Sequence, residues 1–134
     1  YGGVGFFALG LESRAKRVTV VERDGPSAQD GKRNLGERGT YLYGDVAEVT
    51  EQIAEADCMV VDPPRSGLAP SVIHWIGTKA RPEQLLYVSC SETSFIRDLS
   101  ALQAVGYEAE EITPVDLFPH TPHLELVTHL HRVD

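Results

Sequence analysis

With 134 residues the chain holds one domain's worth of material, enough for a core but short for a second domain. Its 42% hydrophobic and 24% charged residues are those of an ordinary soluble globule, and no apolar run has the length of a membrane span or the shape of a signal peptide. Twelve Lys and Arg against 20 Asp and Glu leave a net charge of −8, the reverse of a surface that grips polynucleotide through its phosphates, unless that surface belongs to a part of the protein outside this chain.

In chain order, Tyr1-Gly2-Gly3-Val4-Gly5 is a glycine turn that opens a helical pattern running to about Glu12. Glycines let backbone approach a ligand closely, and a helix start offers free N–H groups. A strand over 17–22 ends in Glu22, where a nucleotide-binding fold places the carboxylate that accepts two ribose hydroxyls. A helix over 26–35 has Pro26 in its first turn. The strand over 40–45 ends in Asp45, and a helix is expected from about Val46 to Ala56, with Asp45 placed to cap it, to face a ligand, or both.

The two most informative stretches follow. Cys58 to Val61 reads as a buried strand that stops at Asp62-Pro63-Pro64-Arg65-Ser66-Gly67-Leu68, since neither proline can donate to a ladder. After a helix over 70–79 carrying Trp75 and Ile76 as core residues, Leu85 to Ser89 repeats the pattern and stops at Cys90. Asp62 and Cys90 therefore stand where two strands leave a sheet, the edge at which open α/β sheets bind ligands.

Apolar residues at 95, 96, 99, 102 and 105 mark a helix that Gly106 ends. Strands over 107–114 and 124–131 close the chain around the polar loop 115–123. Alternating strands and helices predict an α/β layered fold with a mostly parallel sheet and an antiparallel closing strand. Cys58 and Cys90 fall at opposite ends of neighbouring strands, so no disulfide is expected and a cytoplasmic setting fits. The histidines at 120, 123, 129 and 131 are too loosely spaced for a metal site, and none is expected.

Three acids at successive strand ends, Glu22, Asp45 and Asp62, behind a glycine turn outline a site for a nucleoside-like molecule. No Lys-Ser or Lys-Thr follows the glycines, which excludes a triphosphate cradle. A cofactor with hydroxyls, an amino group and a sulfonium, S-adenosylmethionine, suits such an acidic site better than NAD.

The motifs Tyr1-Gly2-Gly3-Val4-Gly5-Phe6-Phe7, Val21-Glu22, Asp62 to Leu68, Tyr87-Val88-Ser89-Cys90, Arg97-Asp98-Leu99 and the run Asp116 to Glu125, in this order and over essentially the whole chain, resemble the C-terminal catalytic domain of the RNA uracil-5 methyltransferases, which make 5-methyluridine in transfer and ribosomal RNA. The resemblance implies a Rossmann-like, S-adenosylmethionine-dependent fold in which residues 1–134 form a catalytic domain without its first strand, the RNA being gripped mainly by a domain outside this chain. It implies Cys90 as nucleophile and Glu125 as base, and Tyr1, Gly3, Gly5, Phe6, Glu22, Asp45 and Asp62 as cofactor residues. A thiolate at Cys90 needs a lowered pKa, for which Arg65 or a nearby helix start is the candidate source, and His123 is placed to orient Glu125 two residues on. The missing strand would lie between those ending at Glu22 and Asp62. Ser91-Glu92 stands where the family usually has Asn-Pro. That departure keeps two alternatives open: a methyltransferase for another RNA base, and a non-catalytic RNA-binding or regulatory fragment.

Overall fold

The computed structural model describes residues 1–53 and 55–133. They form two compact units, Tyr1–Ile53 and Ala54–Asp134, each with its own sheet.

In the first unit the order is α1 (Phe6–Leu11), β1 (Val18–Glu22), α2 (Gly25–Leu35), β2 (Gly39–Tyr43) and α3 (Val46–Val49). β1 and β2 pair in parallel from Val18 with Gly39 to Glu22 with Tyr43. A parallel pair needs a crossover, which α2 supplies. Its start is fixed by Asp24, whose side chain accepts the Ser27 N–H at 2.9 Å, with Pro26 in the first turn. Its buried residues Ala28, Gly31 and Leu35 are three and four apart, so they share one stripe. Ala8, Val20 and Leu35 form the core here, with Val18 and Tyr41 packed against them.

The helix expected from Val46 to Ala56 is much shorter. It makes one turn, α3, and a 3₁₀ turn at Thr50–Gln52, while position 54 lies outside the described residues. Val46, Val49, Thr50 and Ile53 are all β-branched and disfavour helix, and only Val49 of α3 is buried to offset that.

The second unit contains β3 (Cys58–Val61), α4 (Pro70–Trp75), β4 (Gln84–Ser89), α5 (Glu92–Ala104), β5 (Tyr107–Val115) and β6 (Glu125–Arg132). Its sheet runs β3-β4-β6-β5. β3 and β4 are parallel, and β6 lies antiparallel between β4 and β5. The expected closing pair is present, and among the described residues the strands ending at Glu22 and Asp62 belong to different sheets. α4 continues from Trp75 into a π-helical turn, Ile76–Ala80, where Gly77 closes against Val105. Trp75 and Ile76 are buried as expected. α5 packs on β4 and β5, and Tyr87 stacks on Phe95 with ring centroids 5.5 Å apart.

The stripe read for α5 needs one correction. Ile96 is 65% exposed, and the residue fully buried between Phe95 and Leu102 is Asp98. Positions 95, 98 and 102 are the i, i+3, i+7 face, so the sheet side of α5 carries a carboxylate.

Candidate active site

The first unit holds the glycine turn and two of the acids. Gly5 caps α1 with φ 88, and a Cβ there would come within 2.7 Å of the Tyr41 hydroxyl, so the turn needs glycine on both counts. Glu22, at the C-terminal end of β1, accepts the Gly3 N–H on Oε2 and the Asp24 N–H on Oε1, both at 2.7 Å. The acid and the glycine turn are thus one construction. Burial pushes the Glu22 carboxyl up, but the N–H groups of Asp24 and Gly3, the positive charge of the Tyr1 amino group and the Arg23 N–H together outweigh it, and the net shift is downward.

Asp45 caps α3, accepting the Ala47 N–H at 3.0 Å, and lies 3.5 Å from Arg23 in an exposed pair that contributes little. Phe6 projects largely into solvent, its ring edge-on to Phe7. Tyr1 and Gly2 donate from their backbone nitrogens to the Val21 carbonyl at 2.7 and 2.9 Å. The Tyr41 hydroxyl is buried and has no hydrogen-bond partner among the described residues.

The second unit gathers the remaining candidates at one sheet edge. β4 and β6 end their pairing at Ser89 and Leu126, so the next residues outward, Cys90 and Glu125, leave neighbouring strands at the same end. β3 runs parallel to β4 and ends there too, with Asp62 following Val61. Cys90 and Glu125 are both half-buried. Asp62 is open to solvent, yet desolvation of its carboxyl and the negative charge of Glu125 push it above the ordinary aspartate value. Cys90 stands one residue before Ser91, whose side chain caps α5 by accepting the Ser94 N–H.

Arg65 and His123 form a bridge between two loops, with Nη2 of the guanidinium 3.0 Å from Nδ1 of the ring. A guanidinium only donates, so Nδ1 accepts and the ring hydrogen sits on Nε2. The imidazole of His123 thus meets Arg65 through Nδ1. Loop 116–123 is held by its own bonds: Phe118 N–H to Asp116, Thr121 hydroxyl and N–H to the Phe118 carbonyl, and His123 N–H to the Thr121 hydroxyl.

Sequence reasoning missed the interaction beneath this edge. Asp98 is inaccessible to solvent and accepts the Leu68 N–H at 2.7 Å and the Tyr87 hydroxyl at 2.8 Å on one oxygen, and Arg97 Nε and Nη2 on the other. The available signal was an acid on the apolar stripe of α5. Elsewhere on the same sheet, His129 and His131 each place Nδ1 against Glu110, at 2.9 and 3.1 Å, where β5 is irregular. Hydrogen bonding from His129 is the leading reason Glu110 is held low. Among the described residues no group of three His, Cys, Asp or Glu could hold a metal ion, and no helix is long and apolar enough to cross a membrane.

Comparison with known proteins adds an independent line. The family model for tRNA (uracil-5-)-methyltransferases matches residues 44–133. A tRNA (uracil(54)-C(5))-methyltransferase of Pyrococcus horikoshii is 37% identical over 131 residues, covering 97% of this chain and 31% of that protein. An uncharacterized RNA methyltransferase of Bacillus cereus is 38% identical over 143 residues, covering 100% of this chain and 31% of that protein. Among solved structures, the Pyrococcus abyssi tRNA (uracil-54, C5)-methyltransferase in complex with S-adenosyl-L-homocysteine superposes with a TM-score of 0.85 at 33% identity, over 97% of this chain and 32% of that one. The chain spans about a third of the length of the curated relatives it matches.

Proposed function

The chain belongs to the tRNA (uracil-5-)-methyltransferase family, and from that premise we propose that it is the catalytic part of an enzyme that transfers a methyl group from S-adenosylmethionine to C5 of a uridine in tRNA or rRNA. The observation that carries this is the β4–β6 register, which brings Cys90 and Glu125, 35 positions apart in sequence, off the same end of adjacent strands.

The residues of the first unit fit the cofactor. A carboxylate has about four lone-pair sites; Glu22 spends two on Gly3 and Asp24, leaving acceptors for a pair of vicinal hydroxyls. A Cβ on Gly3 would meet nothing within 4 Å, so that side of the turn is open to a ligand. Tyr1, Gly3, Gly5, Phe6, Glu22 and Asp45 are assigned to holding it. When bound, S-adenosylmethionine supplies an electrophilic methyl group on a sulfonium.

The chain's own residues make the base reactive. Uracil C5 is a poor nucleophile until the Cys90 thiolate bonds to C6 and drives the C5–C6 electron pair toward C5. C5 would then take the methyl group, the carbon–sulfur bond of the sulfonium breaking to leave the cofactor as a neutral thioether. Glu125 removes the proton left on C5, the C5–C6 double bond re-forms and the bond between C6 and the Cys90 sulfur breaks. The register of the four-stranded sheet sets the backbone positions from which Cys90 and Glu125 act. With a net charge of −8, the grip on RNA is assigned to parts of the protein outside these 134 residues.

The test is a trap. Full-length protein incubated with methyl-labelled cofactor and RNA containing 5-fluorouridine is expected to form a stable covalent complex, since fluorine at C5 cannot be removed as a proton, and Cys90→Ser abolishes it. Cofactor binding without a complex would redirect the assignment to another RNA base. Neither binding nor complex would leave a non-catalytic RNA-binding fragment.

A further inference from the structure

The loop from Asp62 to Leu68 is anchored from below by α5. Asp98, with no exposed surface, takes four hydrogen bonds, and every partner is a donor, the bonding pattern of a carboxylate. Two of those bonds lock it to Arg97, and Arg97 Nη2 continues to the Ser66 carbonyl at 2.7 Å. A third takes the Leu68 N–H. Between these points the Gly67 N–H closes a turn on the Pro64 carbonyl at 2.8 Å, and Gly67 has φ 78 with no room for a side chain against Asp98. Pro63 and Pro64 stiffen the rising limb. Only Arg65 is left at the tip of the turn, and it meets His123, two residues before Glu125.

A buried charge is weak evidence for stability, because an apolar replacement of similar volume often does as well. What this one does is geometric. We propose that Asp98 is a positioning residue: through Arg97, Ser66 and Leu68 it sets the turn that presents Arg65 to His123, and so fixes the loop leading into Glu125 over the target base. This rests on the function proposed above. It assigns to α5, through a residue that touches neither base nor cofactor, control over the base-directed steps. Cofactor binding is expected to depend on Asp98 less than the base-directed steps do, since Glu22 and the glycine turn lie on other elements.

The experiment uses full-length protein and two readouts. The first is the rate of covalent complex formation with 5-fluorouridine RNA, beside the cofactor Kd from calorimetry. Asp98→Asn is expected to slow the complex about 10- to 100-fold, as a misplacement near 1 Å would, with the cofactor Kd changed less than about 3-fold. Arg65→Ala is expected to slow it similarly, and the double variant to be no slower than Arg65→Ala alone, because the two residues act in series. Multiplying effects, or an Asp98→Asn rate equal to wild type, would overturn the proposal. If Asp98→Asn does not fold, Arg97→Gln replaces it, since the Arg97 side chain is 58% exposed and carries the strap to Ser66. The same fall is expected, and a wild-type rate overturns the proposal.

The second readout needs no activity: ¹⁵N-histidine NMR should show His123 as the Nε2–H tautomer in wild type and as a mixed, solvent-like ring in Asp98→Asn. Wild-type protein that forms no complex, but whose His123 signal depends on Asp98, would refute the proposed function and leave the positioning role standing. A complex with an unaltered His123 signal would do the reverse.

Discussion

Replacing Gly67 by alanine isolates the energetics of the buried carboxylate. The new Cβ would sit 2.3 Å from Asp98 Oδ2, 2.4 Å from Arg97 Nη2 and 2.9 Å from the Ser94 Cβ, at a residue with φ +78. Arg97 can swing away, but Asp98 is short and enclosed, so its Oδ2 must retreat by about 1 Å to reach ordinary contact. That oxygen is shared by the Leu68 N–H at 2.7 Å and the Tyr87 hydroxyl at 2.8 Å, and neither bond survives such a shift. Bonds to a buried charged group are worth about 1.5 kcal/mol each at the low end, and the left-handed backbone adds about 1 kcal/mol for a residue with a Cβ. The expected loss is about 4 kcal/mol, a large share of the ~5–15 kcal/mol that holds a domain folded. Gly106→Ala is the control, for its φ is +94 but a Cβ there meets nothing within 4 Å, so only the backbone cost of about 1 kcal/mol applies. Urea unfolding followed by far-ultraviolet circular dichroism, with the m-value checked for constancy, gives both numbers. Equal losses for the two variants would refute the claim that Asp98 is rigidly held under the loop.

Two further outcomes follow from the acids. Because the folded-state Glu22 carboxyl titrates below its ordinary value of 4.5, the stability it lends is present above that value and is lost as pH falls through the folded value. The urea midpoint of wild type should therefore exceed that of Glu22→Gln at neutral pH and converge on it as pH is lowered below 4.5; a gap that widens in acid would contradict this. For Asp62, raised first by desolvation and then by Glu125, the variant Glu125→Gln should lower the titration midpoint in ¹³C-carboxyl NMR without bringing it down to the ordinary 3.8, since the larger cause remains. No movement would mean that the two carboxyls do not share an edge.

The sheet edge was legible because its signals are local. Prolines after Asp62 and the apolar run before Cys90 end two strands by hydrogen-bonding capacity and burial alone, and the structure ends β3 and β4 at Val61 and Ser89. The helix after Asp45 was less legible: capping chemistry marked its start correctly, but nothing local opposed a longer helix except the modest cost of β-branched residues. Asp98 stood within the Arg97-Asp98-Leu99 motif, but its role was hidden for another reason. A helical period finds a buried face by its apolar residues, and a carboxylate on that face looks like an interruption until its donors, drawn from positions 68, 87 and 97, are folded around it. The Arg65 contact of His123 shows the same limit, since its two residues stand 58 positions apart and nothing local joins them.

The central claim is that the Cys90 sulfur and the Glu125 carboxyl act on one pyrimidine, and Glu125→Gln tests it most directly. With unmodified RNA and labelled cofactor, this full-length variant should stall after methyl transfer, giving a covalent protein–RNA species that carries the label and maps to Cys90 by mass spectrometry. Turnover at the wild-type rate, or a stalled species attached anywhere other than Cys90, would contradict the account.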